Sequence, residues 1–250
     1  MRFLCHLFQA LLCATLCIVI STNAVSAPFE IKVHDELIAD YQHSAYEVET
    51  NLFQAPSSQN LKTDVFQTRL EYGYGITEKS ELGANIYLSN YNGASYVNGG
   101  KLSHMYIPTH DEEGFWHYGI KNEINYIKDI GGTETTYYEL TPILALQLKS
   151  WRVTINPSVD ITLNKNSTAT FSPSAKVAYN ITHATDVGME YYADNLPNKS
   201  LYNLTQQPHT AYLVVDTKYK ATELNMGVGK GVTGASDNWV IKLIASLHFD

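Results

Sequence analysis

The feature that most constrains this chain is a period of two. Trp151, Val153, Ile155, Pro157, Val159, Ile161 and Leu163 alternate with Arg152, Thr154, Asn156, Ser158, Asp160 and Thr162. Neighbouring side chains on a β-strand point to opposite faces, so one face of this segment is apolar and the other polar. Trp239, Ile241, Leu243, Ala245, Leu247 and Phe249 repeat the pattern. Similar alternation runs from Phe66 to Ile76, Leu82 to Leu88, Tyr138 to Leu148 and Phe171 to Ile181. From Tyr46 onward no stretch of 18 apolar residues occurs, so no transmembrane helix is expected.

Twelve strands are expected, near residues 44–55, 64–76, 80–90, 95–107, 115–127, 136–148, 151–163, 169–181, 186–194, 209–219, 223–232 and 238–249. Connections after even-numbered strands are mostly short, as in Thr77-Glu78-Lys79, Lys149-Ser150 and Lys220-Ala221-Thr222. Those after odd-numbered strands are often longer and rich in Asn, Ser, Gly and Thr, as in Pro56–Lys62, Ile130–Thr135, Lys165–Thr168 and Asn195–Pro208. Pro108–Gly114 is a moderate exception. Short turns on one side and long loops on the other mark a membrane barrel. Lipid offers no partner to an open sheet edge, so such a sheet must close on itself. The expected fold is all-β, a closed antiparallel transmembrane β-barrel of about 12 strands over residues 44–250. The competing architecture is a soluble sandwich or barrel, whose core would concentrate aromatics in mid-strand.

Aromatic placement separates the two. The chain holds 18 Tyr, 8 Phe and 3 Trp. With odd strands running outward from a periplasmic N-terminus, Tyr72, Tyr74, Trp116, Trp151, Tyr179 and Phe249 fall near the periplasmic rim. Phe66, Tyr126, Tyr138, Phe171, Tyr191 and Trp239 fall near the outer rim. All twelve belong to the apolar phase, while mid-strand apolar positions are mostly Leu, Ile, Val and Ala. Two such belts are what amphipathic rings form at membrane interfaces.

Residues 1–27 read as a secretory signal peptide: Arg2, an apolar stretch from about Phe3 to Ile20, then Val25-Ser26-Ala27 before Pro28. Its removal takes Cys5, Cys13 and Cys17, the only cysteines, so no disulfide, thiol nucleophile or cysteine–metal site is expected in the mature chain. Arg2 is the only charged residue lost, which moves the net charge from -8 to -9. No nucleic-acid partner is expected at that charge. Residues 28–43 have two readings, a periplasmic tail or a lumen plug. Phe29, Ile31 and Val33 alternate there, whereas His34 to Asp40 do not.

Charged residues are 17% of the chain, against roughly 25% in a typical soluble domain. They fall on the polar phase, which faces the lumen. Expected lumen-lining residues are Arg69, Glu71, Lys121, Glu123, Glu139, Arg152, Asp160, Lys176, Glu190, Asp216, Lys218 and Lys242, with Glu47, Glu49 and Glu81 on the same phase. They either fill the interior with salt bridges or line a narrow polar pore with a mild preference for cations or neutral solutes.

No catalytic residue, cofactor or metal is expected. A barrel hydrolase needs a Ser nucleophile, a His base and an orienting Asn or Asp. Ser103 beside His104, and His209 beside Thr210, are the nearest adjacencies and lie in no distinctive motif. His43, His104, His110 and His117 lack metal-ligand spacing and are expected in the lumen or in turns. Gly227, Gly229 and Gly231 precede no helix pattern, so they form no phosphate loop. They are expected to allow curvature or leave room for facing side chains.

The closing stretch from Gly227 to Phe249, the hairpin from Tyr74 to Gly83 and the segment from Val177 to Tyr192 resemble a broad group of uncharacterised proteobacterial outer-membrane barrels. The group includes proteins named for the meta-pathway of phenol degradation. The resemblance implies about twelve strands in a Gram-negative outer membrane and a transport role. Such barrels commonly end on an aromatic that the assembly machinery reads; here Asp250 follows Phe249. Outer-membrane lipid and that machinery are the expected partners. The expected function is a narrow passive channel or transporter for small polar solutes. The alternatives are a structural or adhesive barrel, using the Asn195–Pro208 loop, and an outer-membrane hydrolase.

Overall fold

The computed structural model describes residues 29–54, 65–109, 115–129, 132–163, 167–193, 196–197 and 207–249. Residues 1–27, expected to be a signal peptide, lie outside the described residues, as do Pro56–Lys62 and most of Asn195–Pro208. Strands β1 (Ser44–Gln54), β2 (Val65–Thr77), β3 (Ser80–Tyr91), β4 (Ala94–Tyr106), β5 (Trp116–Lys128), β6 (Glu134–Leu148) and β7 (Trp151–Thr162) follow one another. Then come β8 (Ala169–Thr182), β9 (Thr185–Ala193), the two-residue β10 (Leu196–Pro197), β11 (His209–Tyr219), β12 (Thr222–Gly231) and β13 (Trp239–Phe249). The twelve long strands pair antiparallel with their neighbours, β9 pairs with β11, and β1 pairs with β13, so the ring closes. β10 adds only Leu196 and Pro197 to the side of β8.

The turns after β2, β6, β8 and β11 gather at one end of the ring, together with the start of β1 and the close of β13. We call this the turn end, and the opposite one the loop end. Asn92-Gly93 departs from the expected asymmetry, since it is a two-residue turn at the loop end. Both residues have positive φ, 52° and 77°, as a tight hairpin between twisted strands requires.

The strands are apolar outward and polar inward. Val48, Leu70, Ile86, Leu102, Ile124, Leu144, Ile155, Val177, Leu213 and Ile241 are 41–68% exposed. Glu47, Arg69, Asn85, Lys101, Glu123, Thr154, Glu190 and Lys242 are buried. That inverts the burial of a water-soluble domain and matches a lipid-facing barrel.

Proline marks one weak place in the wall. The β6–β7 ladder is interrupted between Leu140↔Val159 and Leu144↔Ile155, a stretch holding Pro142 and Pro157. Pro157 also faces Pro173 of β8. Proline has no N–H to give a ladder. Thr141 and Ser158 hydrogen-bond across the break from the inner face at 2.8 Å.

A β-carbon at Gly229 would lie 2.3 Å from the Tyr212 ring, so this glycine makes room for the aromatic side chain. Gly229→Ala should therefore destabilise the barrel by about 1–3 kcal/mol through overpacking. Urea unfolding in micelles should show this as a lower midpoint, largely recovered in Gly229→Ala/Tyr212→Leu.

Candidate functional site

The lumen is occupied by the chain itself. Residues 29–40 run inside the ring from the loop half to the turn end. There the Gln42 amide donates to the Gly75 carbonyl (2.8 Å), and Gln42, at φ 64°, turns the chain into β1. Side chains of the wall satisfy the segment's backbone, as buried amides and carbonyls require. The Ile31 amide donates to Glu49 Oε1 (2.6 Å), and Lys242 Nζ donates to the Ile31 carbonyl (3.0 Å). Asn156 accepts from the His34 amide (2.7 Å) and donates to the His34 carbonyl (2.9 Å). The Ala39 amide donates to Glu81 Oε2 (2.6 Å). Gly75 permits the approach at the turn end, because a β-carbon there would lie 2.0 Å from the Asp40 carbonyl oxygen.

Three apolar contacts hold the segment along its length. Phe29 stacks on Tyr87 at 5.0 Å beside Ile127 and Tyr137. Ile31 packs with Tyr212, Val214 and Val240. Ile38 packs with Met105, Ile107 and Ile143. The first two clusters lie in the loop half.

Charge completes the fit. The buried Arg69 guanidinium meets Glu47, Glu49 and Glu71 of the wall and Glu30 of the segment. Lys101 and Lys121 share Glu123, at 2.6 and 2.8 Å, and both also pair with Glu30. Lys32 pairs with Glu47 at 2.7 Å, and Glu36 with Arg152. On the far wall Glu190 lies between Lys242 and Lys176, and Lys176 reaches Asp216 at 2.8 Å. A desolvated ion costs several kcal/mol unless it is paired. Segment and wall each leave charges that the other neutralises.

Of the residues expected to line the lumen, Arg69, Lys121, Glu123, Asp160, Glu190 and Lys242 are buried on the inner face. Glu71, Glu139, Arg152, Lys176 and Asp216 are half-buried there. Lys218 lies exposed at the turn-end mouth, paired with Glu223 at 2.8 Å. Beside it a cavity of about 340 Å³ opens at the turn end, lined by Arg152, Lys176, Asp186 and His248 of the wall and Asp35 and Leu37 of the segment. Among the aromatics assigned to the rims, Phe66, Tyr72, Tyr74, Trp116, Tyr126, Trp151, Tyr179, Tyr191 and Trp239 are exposed. Tyr138 and Phe171 are half-buried, and the Phe249 side chain lies outside the description. Tyr138 donates to Asn122 Oδ1 at 2.6 Å, which covers a polar group on the outer face.

Lys101, Tyr87 and Asn156 were absent from the expected set, although each sits on the inward phase of its strand. Ser103 is buried on the inner face, whereas His104 lies on the opposite, outward phase with Leu82 and Asn122 beside it. Adjacency along a strand therefore separates them, and His104 is neither a lumen nor a turn residue. The Ser236 hydroxyl bonds the His209 amide and carbonyl, both at 2.7 Å, so it supports the backbone of that histidine.

No protein-family model matches the sequence, and no curated protein matches it. Solved structures do. The NanC porin aligns with a TM-score of 0.52 at 12% identity, over 82% of this chain and 99% of that one. The translocator domain of the autotransporter NalP from Neisseria meningitidis aligns with a TM-score of 0.50 at 10% identity, over 84% and 90%. The chain has the fold of bacterial outer-membrane β-barrels.

Arg69→Met would leave Glu30, Glu47, Glu49 and Glu71 without their shared cation. Breaking a buried ion pair from one side costs about 3–5 kcal/mol. Lys218→Met, at the exposed mouth, should change stability little. Unfolding midpoints of the two variants measured side by side check the contrast.

Proposed function

We propose that this chain is an outer-membrane channel for small polar solutes whose lumen is kept closed by residues 29–40. The observation that carries this reading is the asymmetry of the interior. The loop half is filled by Phe29, Ile31 and the rings and aliphatic groups around them, while a cavity of about 340 Å³ stays open at the turn end. The turn end faces the periplasm in this reading, the usual placement of short turns in such barrels. The exposed aromatics at the two ends sit at the lipid interfaces. The cavity wall mixes Arg152, Lys176 and Lys218 with Asp186, Asp216 and Glu223, so it suits neutral solutes and cations over strongly anionic ones. The likeness to a porin supports transport. So does the resemblance of the closing stretch to the meta-pathway group. A non-enzymatic role accords with Ser103 and His104 lying on opposite faces.

Single-channel recording in planar bilayers tests the reading. The mature protein should conduct rarely and weakly, and a variant lacking residues 29–40 should show a large steady conductance. Glu30→Lys, which sets a third lysine against Arg69, Lys101 and Lys121, should raise the open fraction. Equal weak conductance in all three folded proteins would overturn the plug. Conductance from none of them would overturn the channel.

A further inference from the structure

His34 lies in the middle of the lumen segment with its backbone fixed and its ring among charges. Asn156 of β7 bonds both its amide and its carbonyl, and the residue is 8% exposed. Lys121 Nζ of β5 lies 3.2 Å from His34 Nε2. An ammonium can only donate, so Nε2 accepts in this contact and carries no proton. The closed lumen therefore uses the neutral imidazole.

The other charges around the ring leave no free partner for an imidazolium. Glu30, four residues earlier, is the nearest anion, with Oε1 3.4 Å from Nε2. Arg69 of β2, Lys101 of β4 and Lys121 already pair with that carboxylate. Glu123 of β5 is held by Lys101 and Lys121, and Glu139 of β6 stands opposite Glu123. Lys32, two residues before His34, pairs with Glu47 of β1. A proton on Nε2 would set an imidazolium 3.2 Å from the Lys121 ammonium, out of water, beside a carboxylate that three cations share. Like charges that close repel strongly in a poorly solvated interior. Outside the lumen the same ring meets water and takes up a proton near pH 6.5, as histidine ordinarily does.

We propose that His34 is an acid switch, whose protonation drives residues 29–40 out of the lumen by removing the lone pair that Lys121 uses. This rests on the segment being the plug of the proposed channel, and it names what releases that plug. The sign follows from linkage. The closed state excludes a proton that the released state accepts. Closure is therefore at full strength above about pH 6.5 and weakens below it, by up to about tenfold per pH unit.

Thiol labelling tests the switch without relying on conduction. Ile31→Cys in the mature protein, in detergent micelles, is labelled with a bulky maleimide at about pH 7.5 and about pH 5. Each rate is divided by that of the unfolded protein at the same pH, which cancels the ionisation of the thiol. The relative rate should rise about 30-fold on acidification, the increase that release of one histidine with an ordinary pKa allows. Ile31→Cys/His34→Gln keeps an acceptor for Lys121 that does not titrate, and its relative rate should be low and nearly the same at both pH values. A relative rate in Ile31→Cys that acid leaves unchanged would overturn the switch, even if the double variant fails to fold. An equal rise in both proteins would overturn it too, by assigning the release to another group. Labelling at the higher pH as fast as in the unfolded protein would overturn plug and switch together. Acid-driven labelling in a barrel that never conducts would uphold the switch and overturn the channel.

Discussion

Backbone hydrogen bonding in a medium without water governs this structure. Each unpaired amide or carbonyl facing hydrocarbon costs several kcal/mol, so a sheet that crosses a membrane has to close. Here closure is the β1–β13 ladder, which joins Ser44 to Phe249 at one end and Gln54 to Trp239 at the other. Once the ring is closed, the period of two decides the rest. One phase meets lipid and carries Leu, Ile and Val, with aromatics towards the ends. The other phase is forced inward, with whatever charge it bears.

A narrow interior cannot hold unpaired ions, and that links the wall to the segment inside it. Arg69, Lys101 and Lys121 converge on Glu30, while Lys242 and Asn156 serve backbone groups of Ile31 and His34. The segment is a strand-like piece of chain without a sheet, its ladder replaced by polar side chains of the wall. It also crosses beside the proline interruption, since Asn156 lies where β7 loses its pairing with β6. The same stretch carries the hydroxyl bridge Thr141–Ser158. The polar inner face thus compensates where the outer wall loses backbone pairing.

The barrel was legible in the sequence because alternation is local. Twelve long strands stand within a few residues of the segments read from period and turns, including the fourth, whose alternation is the least regular. What lay beyond reach was partnership across the lumen. Ile31 and Lys242 are 211 residues apart, and nothing local tells Lys242 that a carbonyl awaits it. The destination of residues 28–43 stayed open for that reason, although Phe29, Ile31 and Val33 already showed the alternation that their packing explains. Tyr87 shared a phase with Glu81 and Asn85, an anomaly resolved only by Phe29 stacking on it. Lateral neighbours on the inner wall, such as Glu123 and Glu139, required exact registers, which depend on turn lengths and on bulges such as those near Gly75 and Tyr87.

Residues 29–40 lie inside the barrel rather than hanging from it as a tail. Thiol accessibility reads this directly, because every native cysteine lies in residues 1–27. Single cysteines in place of Ile31, Val33 or Leu37 would be exposed to a bulky, membrane-impermeant maleimide in the folded protein. Cysteine at Leu37, which is 46% exposed towards the open cavity, should react, whereas cysteine at Ile31 or Val33 should react only after unfolding. Rapid labelling at all three positions of the folded barrel would place the segment outside the lumen.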